Sequence, residues 1–77
     1  MRVIELENNE DYIVVERIIS KDTIYLYLAN ANDEKDICIR KEVKNEILPL
    51  DDEKEFQKAM LLFSKKNKDL MKYLLES

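Results

Sequence analysis

The sequence predicts an α+β domain in which an antiparallel β-meander of three to four strands packs against a C-terminal α-helix. Up to residue 50 the apolar positions alternate with a period of two and are rich in β-branched residues, as in strands. After residue 50 they recur every three to four positions, as in a helix. Because 77 residues leave room for one domain, we expect a single unit over 1–77, with the strand meander in 1–50 and the helical part in 51–77.

The first strands are predicted from runs of β-branched residues. The densest run is Tyr12–Ile19, and Val3–Leu6 forms a short strand before it. The two segments are either one bent strand or two strands, with Asn8 and Asn9 at the break. Residues 20–22 follow as a turn.

The next strand, predicted over Thr23–Ala29, has two chemically different faces. Its aliphatic face carries Ile24, Leu26 and Leu28, and its tyrosine face carries Tyr25 and Tyr27. We expect the aliphatic face to meet the helix. The two tyrosines then either pack across strands on the outer face of the sheet or form a binding surface.

A polar loop is expected over residues 30–35, before a strand at Asp36–Val43. The dipeptide Lys44–Asn45 predicts a two-residue hairpin, since asparagine tolerates the positive φ that such turns need. The chain then returns as a short strand over Glu46–Leu48, which Pro49 ends or places at an edge of the sheet.

The helix is predicted to begin at a capping box, with Asp52 as N-cap and Glu55 at the third helical position. An apolar stripe at helical spacing follows, consisting of Phe56, Ala59, Met60 and Phe63. We expect this stripe to form a core with the aliphatic face. Asn67 is expected to end the helix. The lysines before it suit the negative end of the helix dipole, an explanation that we favour over contact with an anionic partner.

A second apolar run follows the helix and needs a cover. It comprises Leu70, Met71, Tyr73, Leu74 and Leu75. The run predicts either a short second helix or a continuation of the first. Because chain ends are usually polar, we expect this tail either to fold back on the sheet or to dock on another molecule, as a dimer contact or as part of a partner-binding surface.

The composition excludes several classes of function. The chain contains no glycine, which removes phosphate-cradling loops and nucleophile elbows. It contains no histidine and one cysteine, so neither an intrachain disulfide nor a zinc site is expected. A net charge of −4 argues against nucleic-acid binding, and no stretch approaches the length of a membrane span. We expect a cytoplasmic protein without a cofactor.

Two kinds of candidate chemistry have structural alternatives, which we favour. Cys38 precedes Arg40 and Lys41, whose charges would lower a thiol pKa, but a cysteine within a strand is also a small buried residue. Acidic side chains cluster at residues 51–55 and 32–36, where a hard cation could bind. Helix capping and a solvated turn explain the same residues without a metal.

The order of these segments resembles that of a known family. The strands Tyr12–Ile19, Ile24–Ala29 and Asp36–Lys41, followed by Leu48–Phe56 and a helix ending near Phe63, are similar to the YrzB-like family. That family comprises short uncharacterised proteins of Firmicutes and their mobile elements. The resemblance covers roughly residues 10–66 and implies a strand meander that leads through a proline and an acid-rich turn to an aromatic helix. It brings no catalytic residues.

These observations favour a small acidic protein-binding module, encoded by a mobile element or a phage, which occupies a surface on a partner protein and is not an enzyme. Tyr25, Tyr27 and the apolar run of the tail are the candidate interface. A structural homodimer, in which the tail or a sheet edge completes the core, is the alternative. A redox sensor built on Cys38 is the weakest alternative, because no base accompanies the thiol.

Overall fold

The computed structural model describes residues 2–66, which form five strands and one helix. The elements are β1 (Val3–Glu5), β2 (Asp11–Ser20), β3 (Thr23–Asn30), β4 (Asp33–Val43), β5 (Glu46–Leu48) and α1 (Glu53–Lys66). The strands form one antiparallel sheet in chain order. The predicted combination of a meander and a C-terminal helix is therefore confirmed.

The sheet has five strands, and the prediction of three to four was too low. Both short terminal segments pair with their neighbours: Val3 lies opposite Ile13, and Glu46 lies opposite Val43. Asn9, in the turn after β1, has a φ of 62°. This left-handed conformation separates β1 from β2, so that the first two runs are two strands.

The polar loop expected over residues 30–35 is a two-residue turn. Asn30 lies opposite Asp33, and β4 begins there instead of at Asp36. The Asn30 side-chain oxygen accepts a hydrogen bond from the Asn32 backbone N–H at 2.8 Å, which closes the turn locally. Composition alone could not distinguish this tight turn from an open loop.

The hairpin predicted at Lys44–Asn45 is confirmed. Its two residues have φ values of 51° and 69°, the left-handed conformation that a type I′ turn requires at both positions. The turn joins β4 to β5 with Val43 opposite Glu46.

A β-bulge at Val15 divides β2 into two halves. Val14 lies opposite Leu28, whereas Glu16 lies opposite Tyr27, so Val15 is an extra residue in the strand. Before the bulge, Tyr12 and Val14 share the aliphatic face of the sheet. After it, Glu16 and Ile18 share the tyrosine face.

The helix packs on the tyrosine face of the sheet, and the prediction that it would cover the aliphatic face was wrong. Tyr25, Tyr27 and Ile39 form one core with Ala59 and Phe63. The Tyr27 and Phe63 rings meet edge to face, with centroids 5.6 Å apart. Phe56 and Met60 pack against this core, and not against the aliphatic side chains as expected.

The aliphatic face has a second core, which the sheet itself covers. This core consists of Leu6, Tyr12, Leu26 and Leu28, with Ile4, Ile24, Cys38 and Ile47 packed around it. The sheet curls toward this face, and ion pairs join the chain around β1 to β4, with two strands between them. They link Arg2 to Glu42 at 2.6 Å and Glu7 to Arg40 at 2.9 Å.

No helix of the described part of the chain is long and apolar enough to cross a membrane. Two predictions lie outside the described residues. They are the end of the helix at Asn67 and the second apolar run, with its five candidate interface residues Leu70, Met71, Tyr73, Leu74 and Leu75.

Candidate protein-binding surface

The acidic residues at the start of α1 hold the helix on the sheet. Asp52 accepts a hydrogen bond from the Glu55 backbone N–H at 2.9 Å, which is the predicted N-cap. Glu55 reaches back to the Asp51 N–H at 2.7 Å, one residue before the N-cap. It also accepts hydrogen bonds from Tyr25 Oη at 3.1 Å and from Lys41 Nζ at 3.1 Å.

The pKa of Glu55 lies below its ordinary value. The largest cause is the hydrogen bond from the Asp51 backbone N–H, and the bonds from Lys41 and Tyr25 act in the same direction. Lys41 is only 9% exposed and also pairs with Asp51 at 3.0 Å. The cluster is thus a structural network in which these charges and polar groups compensate one another.

The acidic residues at the start of β4 divide into exposed side chains and one structural acceptor. Asp36 accepts hydrogen bonds from the Tyr12 hydroxyl at 2.5 Å and from the Asn30 amide at 3.1 Å. Asn8 donates to the same tyrosine oxygen at 3.0 Å. Within residues 2–66, no group of three or more acidic or cysteine side chains is placed to hold a metal ion.

Cys38 lies on the aliphatic face, opposite Leu28, and is partly buried. Burial raises the pKa of its thiol, and the negative charges of Asp36 and Glu7 raise it further, while Arg40 opposes them. A thiol with a raised pKa carries little thiolate at neutral pH and is a poor nucleophile.

Tyr25 and Tyr27 lie beneath α1, with 2% and 1% of their surface exposed. They were proposed either as an outer-face packing pair or as a binding surface. The structure places both rings in the core, because the helix covers the face that they share. An interface built on the exposed faces of these rings is therefore not available in this structure.

A shallow groove lies between the second half of β2 and the C-terminal end of α1. We call it the β2–α1 groove, and its lining residues are Arg17, Ile18, Ile19, Leu62, Lys65 and Lys66. Ile18, Leu62, Lys65 and Lys66 lie on the helix side of the sheet. The side chains of Arg17 and Ile19 point to the aliphatic side, because these residues lie opposite Leu26 and Ile24. Ile19 is 65% exposed, the largest exposed fraction among the large apolar residues of the described part of the chain.

The groove runs along an open edge of the sheet. β1 pairs only with Asp11–Ile13 of β2, so within the described part of the chain no strand covers this edge from residue 15 to residue 20. An uncovered edge presents backbone donors and acceptors to which a further strand can pair.

Two side chains occupy part of this edge. The Arg17 backbone N–H donates to Glu16 Oε1 at 3.0 Å, and Lys66 Nζ donates to the Arg17 carbonyl oxygen at 3.1 Å. Glu16 and Lys66 also pair with each other at 3.1 Å. The pKa of Glu16 is lowered, first by the Arg17 N–H and then by Lys66.

β4 also has an open edge, from residue 33 to residue 40, next to the start of the helix. The shallow groove there has charged residues of both signs, with Arg40 beside Asp52 and Glu53. The β2–α1 groove differs because its charged lining is entirely basic.

Sequence reasoning did not identify the β2–α1 groove. Lys65 and Lys66 were explained by the helix dipole in preference to an anionic partner. Ile18 and Ile19 were assigned to a strand without regard to the neighbours of that strand. The adjacent pair of isoleucines was a usable signal, because in an alternating strand one of the two must face away from any single core.

Comparison of the chain with known protein families, with curated proteins and with solved structures returned no match. The resemblance to the YrzB-like family therefore stays a prediction.

Proposed function

We propose that the protein is a protein-binding module that uses the β2–α1 groove to occupy a surface on a partner protein. The observation that carries this proposal is the exposure of Ile19 beside an uncovered strand edge. Apolar side chains next to unpaired backbone groups are the features by which sheets bind extended segments of other proteins.

The other chemically distinctive side chains support the choice of this groove as the binding surface, because they already have structural roles within the domain. Glu55 and Lys41 hold the helix, Asp36 holds Tyr12 and Asn30, and the Cys38 thiol has a raised pKa. On the helix side of the edge the groove combines two aliphatic side chains, Ile18 and Leu62, with Lys65 and Lys66, and so offers a partner both apolar and charged contacts.

Site-specific crosslinking in living cells would test the proposal. A photoreactive phenylalanine analogue replaces Ile19 in the groove or, as the control, the exposed Glu34 outside it. We expect one partner adduct from position 19 and not from position 34. Adducts of equal yield at both positions, or none at position 19, would contradict a binding role for the groove.

A structural homodimer is the second candidate, favoured by the apolar composition of residues 70–75. Light scattering of the full chain and of a version stopped after Lys68 separates the two functions. A dimer that becomes a monomer on truncation supports the second candidate. Two monomers of equal stability argue against it.

A cytoplasmic location and an origin in a mobile element stay predictions.

A further inference from the structure

We infer that the β2–α1 groove receives an extended acidic segment of a partner protein as an added strand, and that Glu16 and Lys66 hold the edge closed until that segment binds. This inference rests on the proposed function and deepens it by specifying the ligand chemistry and an internal competitor.

The Glu16–Lys66 pair occupies the positions that an added strand would use. The Arg17 N–H is bonded to a carboxylate oxygen, where a carbonyl of the added strand would lie. The Arg17 carbonyl oxygen is bonded to an ammonium, where an N–H of the added strand would lie. Together the two side chains satisfy both backbone groups of one edge residue.

The remaining part of the edge is available for recognition. In a strand the backbone groups of alternate residues point to the same side, so those of Ile19 point outward as those of Arg17 do. A segment paired along this edge would gain two further backbone hydrogen bonds at Ile19. Its side chains would contact the exposed Ile19 side chain and the groove floor formed by Ile18 and Leu62.

The charge of the groove selects an acidic segment. The chain as a whole has a net charge of −4, yet the charged lining of the groove is basic on both sides of the edge: Lys65 and Lys66 on the helix side, and Arg17 on the aliphatic side. Glu16 is the carboxylate that already binds Lys66 there. A carboxylate of the partner segment can take its place on the same cation.

The same charges disfavour a second copy of the chain as the occupant. Two copies paired through β2 would be related by a twofold axis, so each would present to the other a basic edge, with Arg17, Lys65 and Lys66 against the single carboxylate of Glu16. Like charges brought together across paired strands destabilise the pairing. A partner strand with carboxylates meets no such repulsion.

Glu16 is therefore a competitor of the ligand, and its neutralisation should expose the site. The probe is a ten-residue peptide of alternating glutamate and valine, titrated into the full chain and followed by fluorescence anisotropy. Glu16→Gln should bind it about fivefold more tightly than the unaltered protein, the effect expected from releasing an exposed ion pair. The matched control Glu34→Gln, at an exposed position outside the groove, should leave the affinity unchanged.

Three comparisons separate strand addition from nonspecific charge attraction. A lysine–valine peptide should not bind, and the acidic peptide should lose binding when alternate backbone nitrogens are methylated. Lys65→Glu, a change at an exposed position, should weaken binding of the acidic peptide. This second variant keeps the inference testable if Glu16→Gln does not fold. Equal binding of acidic and basic peptides, or unchanged affinity in both Glu16→Gln and Lys65→Glu, would overturn the inference.

The crosslinking experiment and the peptide titration test different claims, so either can fail without the other. A partner captured at position 19 that binds without regard to Lys65 and Glu16 supports the proposed function and refutes the acidic ligand. If no partner is captured but the acidic peptide binds as described, the ligand chemistry of the groove stands and the cellular role fails.

Discussion

Cys38 shows how its surroundings decide the chemistry of a single side chain. Two cations follow it in the sequence, at positions 40 and 41, but they lie on opposite faces of β4 because side chains alternate along a strand. Lys41 points toward α1 and pairs with Glu55, while Arg40 pairs with Glu7. Burial therefore has the larger effect on the Cys38 thiol and raises its pKa.

We predict that a thiol reagent labels Cys38 more slowly in the folded protein than in the urea-unfolded chain at neutral pH. The reason is the low thiolate fraction together with partial burial of the sulfur on the aliphatic face. A colorimetric thiol titration of both states measures the ratio. Labelling at the unfolded-chain rate would reopen the interpretation of Cys38 as a redox sensor.

At the scale of elements, the helix and the sheet are joined by an apolar contact and a polar one. Phe63 and Ala59 are fully buried against the tyrosine face of β3. The Tyr25 hydroxyl reaches the edge of this core and donates to Glu55. A tyrosine has both an apolar ring and a polar end, which is why these side chains suit the interface with a capped helix start.

Phe63→Ala should lower the free energy of unfolding by about 3–5 kcal/mol, because it leaves a cavity against Tyr27. The matched control is Leu61→Ala on the same helix, where the side chain is 61% exposed. We expect a change of less than about 0.5 kcal/mol there. Urea unfolding of the three proteins makes the comparison, and similar losses in the two variants would show that the helix does not pack as described.

Sequence reasoning identified the elements better than their packing. The 44–45 hairpin and the Asp52 cap depend on neighbouring residues, so local patterns were sufficient to predict them. The alternation in β3 correctly separated Leu26 from Tyr27, but it could not indicate which face the helix would cover. That choice depends on contacts between residues far apart in the chain, such as the Arg2–Glu42 pair on the aliphatic side, which joins residues 40 positions apart.

At the scale of the whole molecule, two thin cores lie on opposite faces of one sheet. Each is closed by charged groups at its rim: Glu55 and Lys41 beneath the helix start, Arg2 and Glu42 on the other side. A domain this small buries a limited apolar area, and these ion pairs join segments that are distant in the chain.

The stability of the molecule should depend on pH through Glu55. Its folded-state pKa lies below the ordinary value of 4.5, so the stabilisation that its charge provides is complete above 4.5 and is lost as the pH falls through the folded-state pKa. We predict that Glu55→Gln lowers the free energy of unfolding by about 1 kcal/mol near neutral pH. The difference should disappear in acid.

Urea unfolding over a series of pH values measures this convergence. Glu53→Gln is the control, because Glu53 is an exposed residue of the same helix turn. A difference between Glu55→Gln and the unaltered protein that persists into acid would mean that the carboxylate charge is not what joins the helix to the sheet.

The extra residue at Val15 reverses the alternation of side-chain direction along the rest of β2. Val14 and Arg17 therefore face the same side of the sheet, although they are three positions apart and regular alternation would place them on opposite sides. A chain one residue shorter at this point would keep Tyr12 over one core and Ile18 over the other, since only the bulge would disappear. The same deletion near Leu26, in the middle of the sheet, would exchange aliphatic and tyrosine side chains along the rest of β3. Position 15 is therefore where this sheet can absorb a change in length without altering either core.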